Sequence, residues 1–173
     1  YVLFNSIKQG HCRLDEPVII SRNAASKPPT KMYLQPGSTI SVDLAIQAIA
    51  LKSANDISVA IAEKIGGSES GFVHLMNEQA QKLGMTRTVF YNTSGLPNRY
   101  QVTTARDMAI LGSALMRDHP EFTHYLEQTY FFMNGRRFKT SNTLLGRIPC
   151  VNGIKTGYTP QAGNNLVTSC KID

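Results

Sequence analysis

Apolar residues recur along this chain at helical spacing through most of its length and at strand spacing near its end. Val2, Leu3 and Ile7 share one side of an opening segment that stops at Gly10, where a left-handed C-cap belongs. Val18–Ser21 is a short extended run. Ser26–Pro29 is a loop, because its two prolines remove two backbone donors, and Gln35–Ser38 is a turn. Ser41 is placed to cap a helix over Val42–Leu51, which is apolar on nearly all sides and so predicted to be buried. A second helix begins at Asn55 or Asp56 and stops at Gly66-Gly67. Ser68 opens the clearest amphipathic helix, with Phe72, Leu75, Met76, Ala80 and Leu83 at three-and-four spacing before Gly84. Thr88–Tyr91 is extended and Asn92–Gly95 turns. Thr103 or Thr104 caps a helix carrying Met108, Leu111, Leu115 and Met116 on one face, and Pro120 opens a shorter one. Gln128–Phe132, Arg137–Lys139, Gly153–Thr156 and Asn165–Cys170 then read as strands. Helices first and strands last predict an α+β fold, a helical cluster packed on an antiparallel sheet.

Composition narrows the class. With 173 residues the chain has the length of one domain, and 42% hydrophobic against 17% charged residues excludes a disordered chain. No apolar run approaches the roughly 20 residues of a membrane span. A net charge of +6 suggests an anionic partner. That partner is not expected to be nucleic acid. Arg136-Arg137 and Lys139 form the only basic cluster, and no aromatic-interleaved basic stripe is present. The cysteines are Cys12, Cys150 and Cys170, with no CxxC pair. Their odd number argues against a disulfide framework and predicts a reducing compartment or a protein that does not rely on bridges. The chain opens at Tyr1 without a signal pattern, and its first helix reads as the continuation of one begun upstream.

Most standard catalytic constellations are absent: there is no HExxH, Walker loop or GxGxxG. His119 and His124 lie near no third ligand, and they and His74 read as packing or surface residues; no metal is predicted. Asn92-Thr93-Ser94 matches a glycosylation acceptor, a triplet that arises often by chance. Two tripeptides stand out, Ser53-Ala54-Asn55 at a helix junction and Lys155-Thr156-Gly157 on a predicted strand. Taken singly, the first could be a pair of helix caps and the second an exposed strand end.

Together and in this order they match the second and third of the three motifs of penicillin-binding proteins and serine β-lactamases. Leu34–Gly37, Ser53–Asp56, Phe72–Asn77, Leu83–Met85, Thr104–Asp107 and Gly153–Thr159 extend the match over nearly the whole chain, which resembles the D-alanyl-D-alanine carboxypeptidases. The resemblance implies a serine hydrolase that removes a terminal D-Ala from peptidoglycan stem peptides through an acyl-enzyme. Ser53 would relay a proton to the leaving amine, the Asn55 amide would hold substrate main chain, and Lys155 would supply positive charge near the nucleophile and the substrate carboxylate. Thr156 would bond that carboxylate. Gly157 would let the strand lie close to substrate, and the Tyr158 N–H would form half of an oxyanion hole. The implied partners are a stem peptide ending in D-Ala-D-Ala and β-lactams, with no cofactor, in a periplasmic or other extracytoplasmic location, and any membrane anchor outside this chain.

The first motif departs from the pattern. No serine in the chain has a lysine three residues on. The resemblance therefore places the nucleophile about two helical turns upstream of Tyr1, and residues 1–173 read as a partial domain cut at both ends. Asn165–Lys171 reads as the first arm of a hairpin whose partner strand lies outside the chain. The chain by itself is expected not to be acylated by penicillin. The alternative is a non-catalytic remnant that binds wall peptide or β-lactam through the same residues.

Overall fold

The computed structural model describes residues 1–172. In chain order it contains α1 (Val2–Lys8), β1 (Pro17–Ile19), α2 (Arg22–Ala25), β2 (Thr39–Ser41), α3 (Val42–Lys52), α4 (Asn55–Gly66), α5 (Glu69–Lys82) and α6 (Ala105–Asp118). A 3-10 turn at Pro120–Phe122 leads to α7 (His124–Glu127), β3 (Tyr130–Met133), β4 (Arg136–Lys139), β5 (Val151–Thr159) and β6 (Gly163–Cys170). The α+β class and the helical cluster follow the sequence pattern. Ser41, Ser68 and Thr104 each accept a hydrogen bond from a backbone N–H three residues on, which fixes where α3, α5 and α6 start. The pattern did not predict α2, a four-residue turn capped by Ser21. Thr88–Tyr91, predicted to be extended, contributes only the isolated bridge Val89–Val102.

The core is built around α3 and α4. Val42, Ala45, Ala48, Leu51, Ile57, Val59 and Ala60 are buried there, with Val18 and Ile20 on one side and Phe122, Tyr125, Phe131 and Met133 on the other. Each large aliphatic side chain so buried contributes roughly 1.5–3 kcal/mol. The two helices that flank the Ser53-Ala54-Asn55 motif are therefore among the most firmly held parts of the chain. The Tyr125 hydroxyl donates to the Asp43 carboxylate and ties α7 to the start of α3. Asp56 is completely buried and accepts from the backbone N–H groups of Met32, Tyr33 and Ile57, which clamps the loop before β2 onto the start of α4. His119 is buried against the rings of Tyr1, Phe4 and Phe122, whereas His74 and His124 are exposed.

The strands form three antiparallel pairs, β1–β2, β3–β4 and β5–β6, rather than one sheet. One pairing was not foreseen: β6 has a partner within the chain and pairs with β5 through Lys155 opposite Val167, Thr156 opposite Leu166 and Gly157 opposite Asn165. The cysteine reading is corrected. Cys150 stands just before β5 and Cys170 ends β6, so the antiparallel register brings their Cα atoms to 4.7 Å and they form a disulfide. Only strand pairing reveals this proximity, because 20 residues separate the two in sequence. Cys12 is the free, buried thiol. The hairpin rests on α6 at Gly112, where a Cβ would lie 3.0 Å from Val167 Cγ1 and 3.1 Å from Ile154 Cδ1.

Candidate active site

Ser53 lies in the two-residue break, Ser53-Ala54, between α3 and α4, and Asn55 is the first residue of α4. The break exists because Ser53 adopts the left-handed conformation, φ 53° and ψ 43°, and ends α3 as its C-cap. A non-glycine residue there costs on the order of 1 kcal/mol or more. Ala54 is the N-cap of α4 and offers it no side-chain bond, so neither Ser53 nor Asn55 serves as the N-cap that a purely structural reading would give it. Asn55 is buried. Its backbone N–H donates to the Thr30 carbonyl at 2.8 Å, and its side-chain amide donates to the Pro28 carbonyl at 3.0 Å. One proton of that amide is thus committed to the loop, which leaves its second proton and its oxygen for other partners.

Lys155 reaches from the middle of β5 to this break. Its ammonium donates to Ser53 Oγ and, at 2.8 Å, to the Thr156 carbonyl. The two motifs, 102 residues apart in sequence, therefore share one side-chain contact. Burial disfavours the charged amine and lowers the Lys155 pKa to about 8. Thr156 lies next on the strand, and its hydroxyl is 2.7 Å from the Ser141 hydroxyl. Gly157 is exposed, with open space where a side chain would project, and Tyr158 is the most exposed tyrosine, at 67%. Among the described residues no three His, Cys, Asp or Glu side chains come together as a metal site would require.

Sequence reasoning missed two residues. Ser141 lies in a loop with no periodic pattern, and only the fold brings it to Thr156. Asp56 was within a recognised block, yet nothing in its neighbours indicated that its carboxylate would hold a loop 23 and 24 residues away. Together Asp56 and Asn55 fasten residues 28–33 beside the helix break and so help to keep Ser53 facing Lys155.

Residues 1–173 match the D-alanyl-D-alanine carboxypeptidase family, peptidase family S11. D-alanyl-D-alanine carboxypeptidase DacA of Escherichia coli is 38% identical over 176 residues, which cover 98% of this chain and 44% of the relative. Penicillin-binding protein 5 of Haemophilus influenzae superposes with a TM-score of 0.94 at 35% identity, over 99% of this chain and 51% of that one. Penicillin-binding protein D2 of Listeria monocytogenes, in its cefotaxime-bound form, superposes with a TM-score of 0.87 at 28% identity, over 99% of this chain and 70% of that one. The chain thus spans less than half the length of the curated Escherichia coli relative. A match that runs from the first residue to the last, with both motifs meeting at one contact, places the chain in the D-alanyl-D-alanine carboxypeptidase family.

Proposed function

We propose that residues 1–173 form part of the transpeptidase-like domain of a serine-type D-Ala-D-Ala carboxypeptidase and supply its substrate-holding side. The Lys155–Ser53 contact carries this reading, because it joins the two motifs at one point. A stem peptide ending in D-Ala-D-Ala lies along β5. Its carboxylate meets the Lys155 ammonium and the Thr156 hydroxyl, two donors that suit an anion. Asn55 bonds substrate main chain through the part of its amide not given to Pro28. The Tyr158 N–H faces the carbonyl under attack as one half of an oxyanion hole, and Gly157 leaves room for the peptide to approach. Ser53, held by Lys155, passes a proton to the departing D-Ala amine. A positive Lys155 lowers the cost of that transfer, because the ammonium stabilises the developing alkoxide.

A β-lactam, as in the cefotaxime-bound Listeria relative, would present its carboxylate to the same two donors. One disulfide, Cys150–Cys170, fits an oxidising compartment such as the periplasm. No helix among the described residues is long and apolar enough to cross a membrane.

The nucleophile of this reading is not among residues 1–173, since no Ser-x-x-Lys occurs there. The coding sequence next to the Tyr1 codon separates the two forms of the proposal. An in-frame Ser-x-x-Lys supports the enzyme, and a nearby start codon without one supports the non-catalytic binding remnant. Fluorescent penicillin with peptide mapping tests the assignment of residues. No stable adduct on a serine of residues 1–173 is expected, and an adduct on Ser53 would overturn its role as a relay.

A further inference from the structure

β3 and β4 form a hairpin with two unlike faces. The inner face belongs to the core: Phe131 and Met133 are buried, and Phe131 stacks on its cross-strand partner Phe138 at 5.1 Å. The outer face carries Tyr130 and Phe132, 49% and 59% exposed, which stand opposite Lys139 and Arg137 in the register. The two rings meet edge to face at 5.7 Å, and the Arg137 guanidinium lies 5.6 Å from the Tyr130 ring centre. Arg136, beside the turn, stands opposite Met133 and 5.9 Å from the Phe138 ring centre, so it belongs to the other side of the hairpin. Residues 128–141 include no Asp or Glu, and no salt bridge among the described residues involves Arg136, Arg137 or Lys139.

The inner face already anchors this hairpin, so two large rings left in water on its outer face add nothing to the core. The outer face also leads into the candidate site. Only Thr140 separates Lys139 from Ser141, whose hydroxyl meets Thr156, and that length of chain reaches at most about 7 Å.

We infer that the outer face of the β3–β4 hairpin docks the peptidoglycan polymer, its sugar rings together with carboxylates of neighbouring stem peptides, and so delivers a stem peptide to the Ser53–Lys155 site. This rests on the carboxypeptidase reading above. The C–H-rich faces of sugar rings bury against Tyr130 and Phe132, and carboxylates on the polymer pair with Arg137 and Lys139. The charge is complementary: the only charged side chains on this face are cations, and the wall polymer is anionic. An anionic lipid surface would engage the same cations, but it would gain nothing from their continuity with a peptide-binding cleft.

Co-sedimentation of the chain with purified peptidoglycan sacculi tests this. Two variants are compared with the unaltered chain: Tyr130→Ser with Phe132→Ser, and Arg137→Gln with Lys139→Gln, the second leaving the aromatic pair in place. Each is expected to lower the affinity for sacculi about tenfold, as loss of interface anchors does, and to leave binding of a soluble Nα-acyl-D-Ala-D-Ala peptide unchanged. Sedimentation of the unaltered chain is expected to weaken as NaCl is raised. Variants that sediment like the unaltered chain overturn the inference. So does an unaltered chain that ignores sacculi, or one that sediments only with anionic phospholipid vesicles. If sacculi binding depends on the hairpin while the soluble peptide never binds, the docking face stands and the D-Ala-D-Ala reading of the site falls.

Discussion

Ser53 occupies a backbone conformation that glycine fills at least cost, and it places a hydroxyl under the Lys155 ammonium. A position that accepts strain in order to keep a side chain implies that the side chain is used. Ser53→Gly is therefore expected to raise stability, by up to about 1 kcal/mol, and to weaken binding of an acyl-D-Ala-D-Ala ligand. Thermal melting and calorimetric titration check both halves, and a destabilised variant that still binds would contradict the assignment. Lys155 gives a pH signature. Burial lowers its pKa to about 8, so the amine is charged below that pH and neutral above it. Affinity for the ligand carboxylate should be level below about pH 8 and should fall about tenfold per pH unit above it. The stability effect has the opposite trend. The unfolded chain holds this proton up to 10.5, so the lysine's contribution to stability rises with pH from about 8 to 10.5. A ligand affinity that stays flat from pH 7 to 10 would remove Lys155 from carboxylate binding.

At the scale of elements, what was legible in the sequence depended on whether the information was local. α3, α5 and α6 each carry a serine or threonine cap and an apolar period, and their starts were predicted within a residue. Strand pairing is not local. Period-two alternation marks a strand but does not name its partner, so the pairing of β6 with β5 and the Cys150–Cys170 bridge were missed. The same limit hid α2, which is too short to show a period. Packing between elements also carries the site. β5 lies at its observed height because α6 presents Gly112 to Ile154 and Val167. Gly112→Val is expected to cost about 1–3 kcal/mol through overpacking and to shift Lys155 away from Ser53. Urea unfolding together with ligand affinity checks this, and a variant unchanged in both would mean that the hairpin is positioned by other contacts.

At the scale of the whole molecule, the site lies where a core-held helix break meets a strand from the far end of the chain. The two tripeptides were legible because their order, and the matched blocks around them, are specific. Their contact was not legible, since nothing in a tripeptide fixes a distance to another one 102 residues away. Ser141 and the Asp56 clamp escaped for the same reason: each acts across the fold on a group remote in sequence. The most direct test of the central claim is an NMR titration of the isotope-labelled chain with an Nα-acyl-Lys-D-Ala-D-Ala peptide. Saturable shifts are expected at the Gly157 and Tyr158 amides and at the Asn55 side-chain amide, and they should disappear in Lys155→Met. Shifts confined to other regions, or unchanged by that substitution, would contradict a D-Ala-D-Ala site built on Ser53, Asn55 and Lys155.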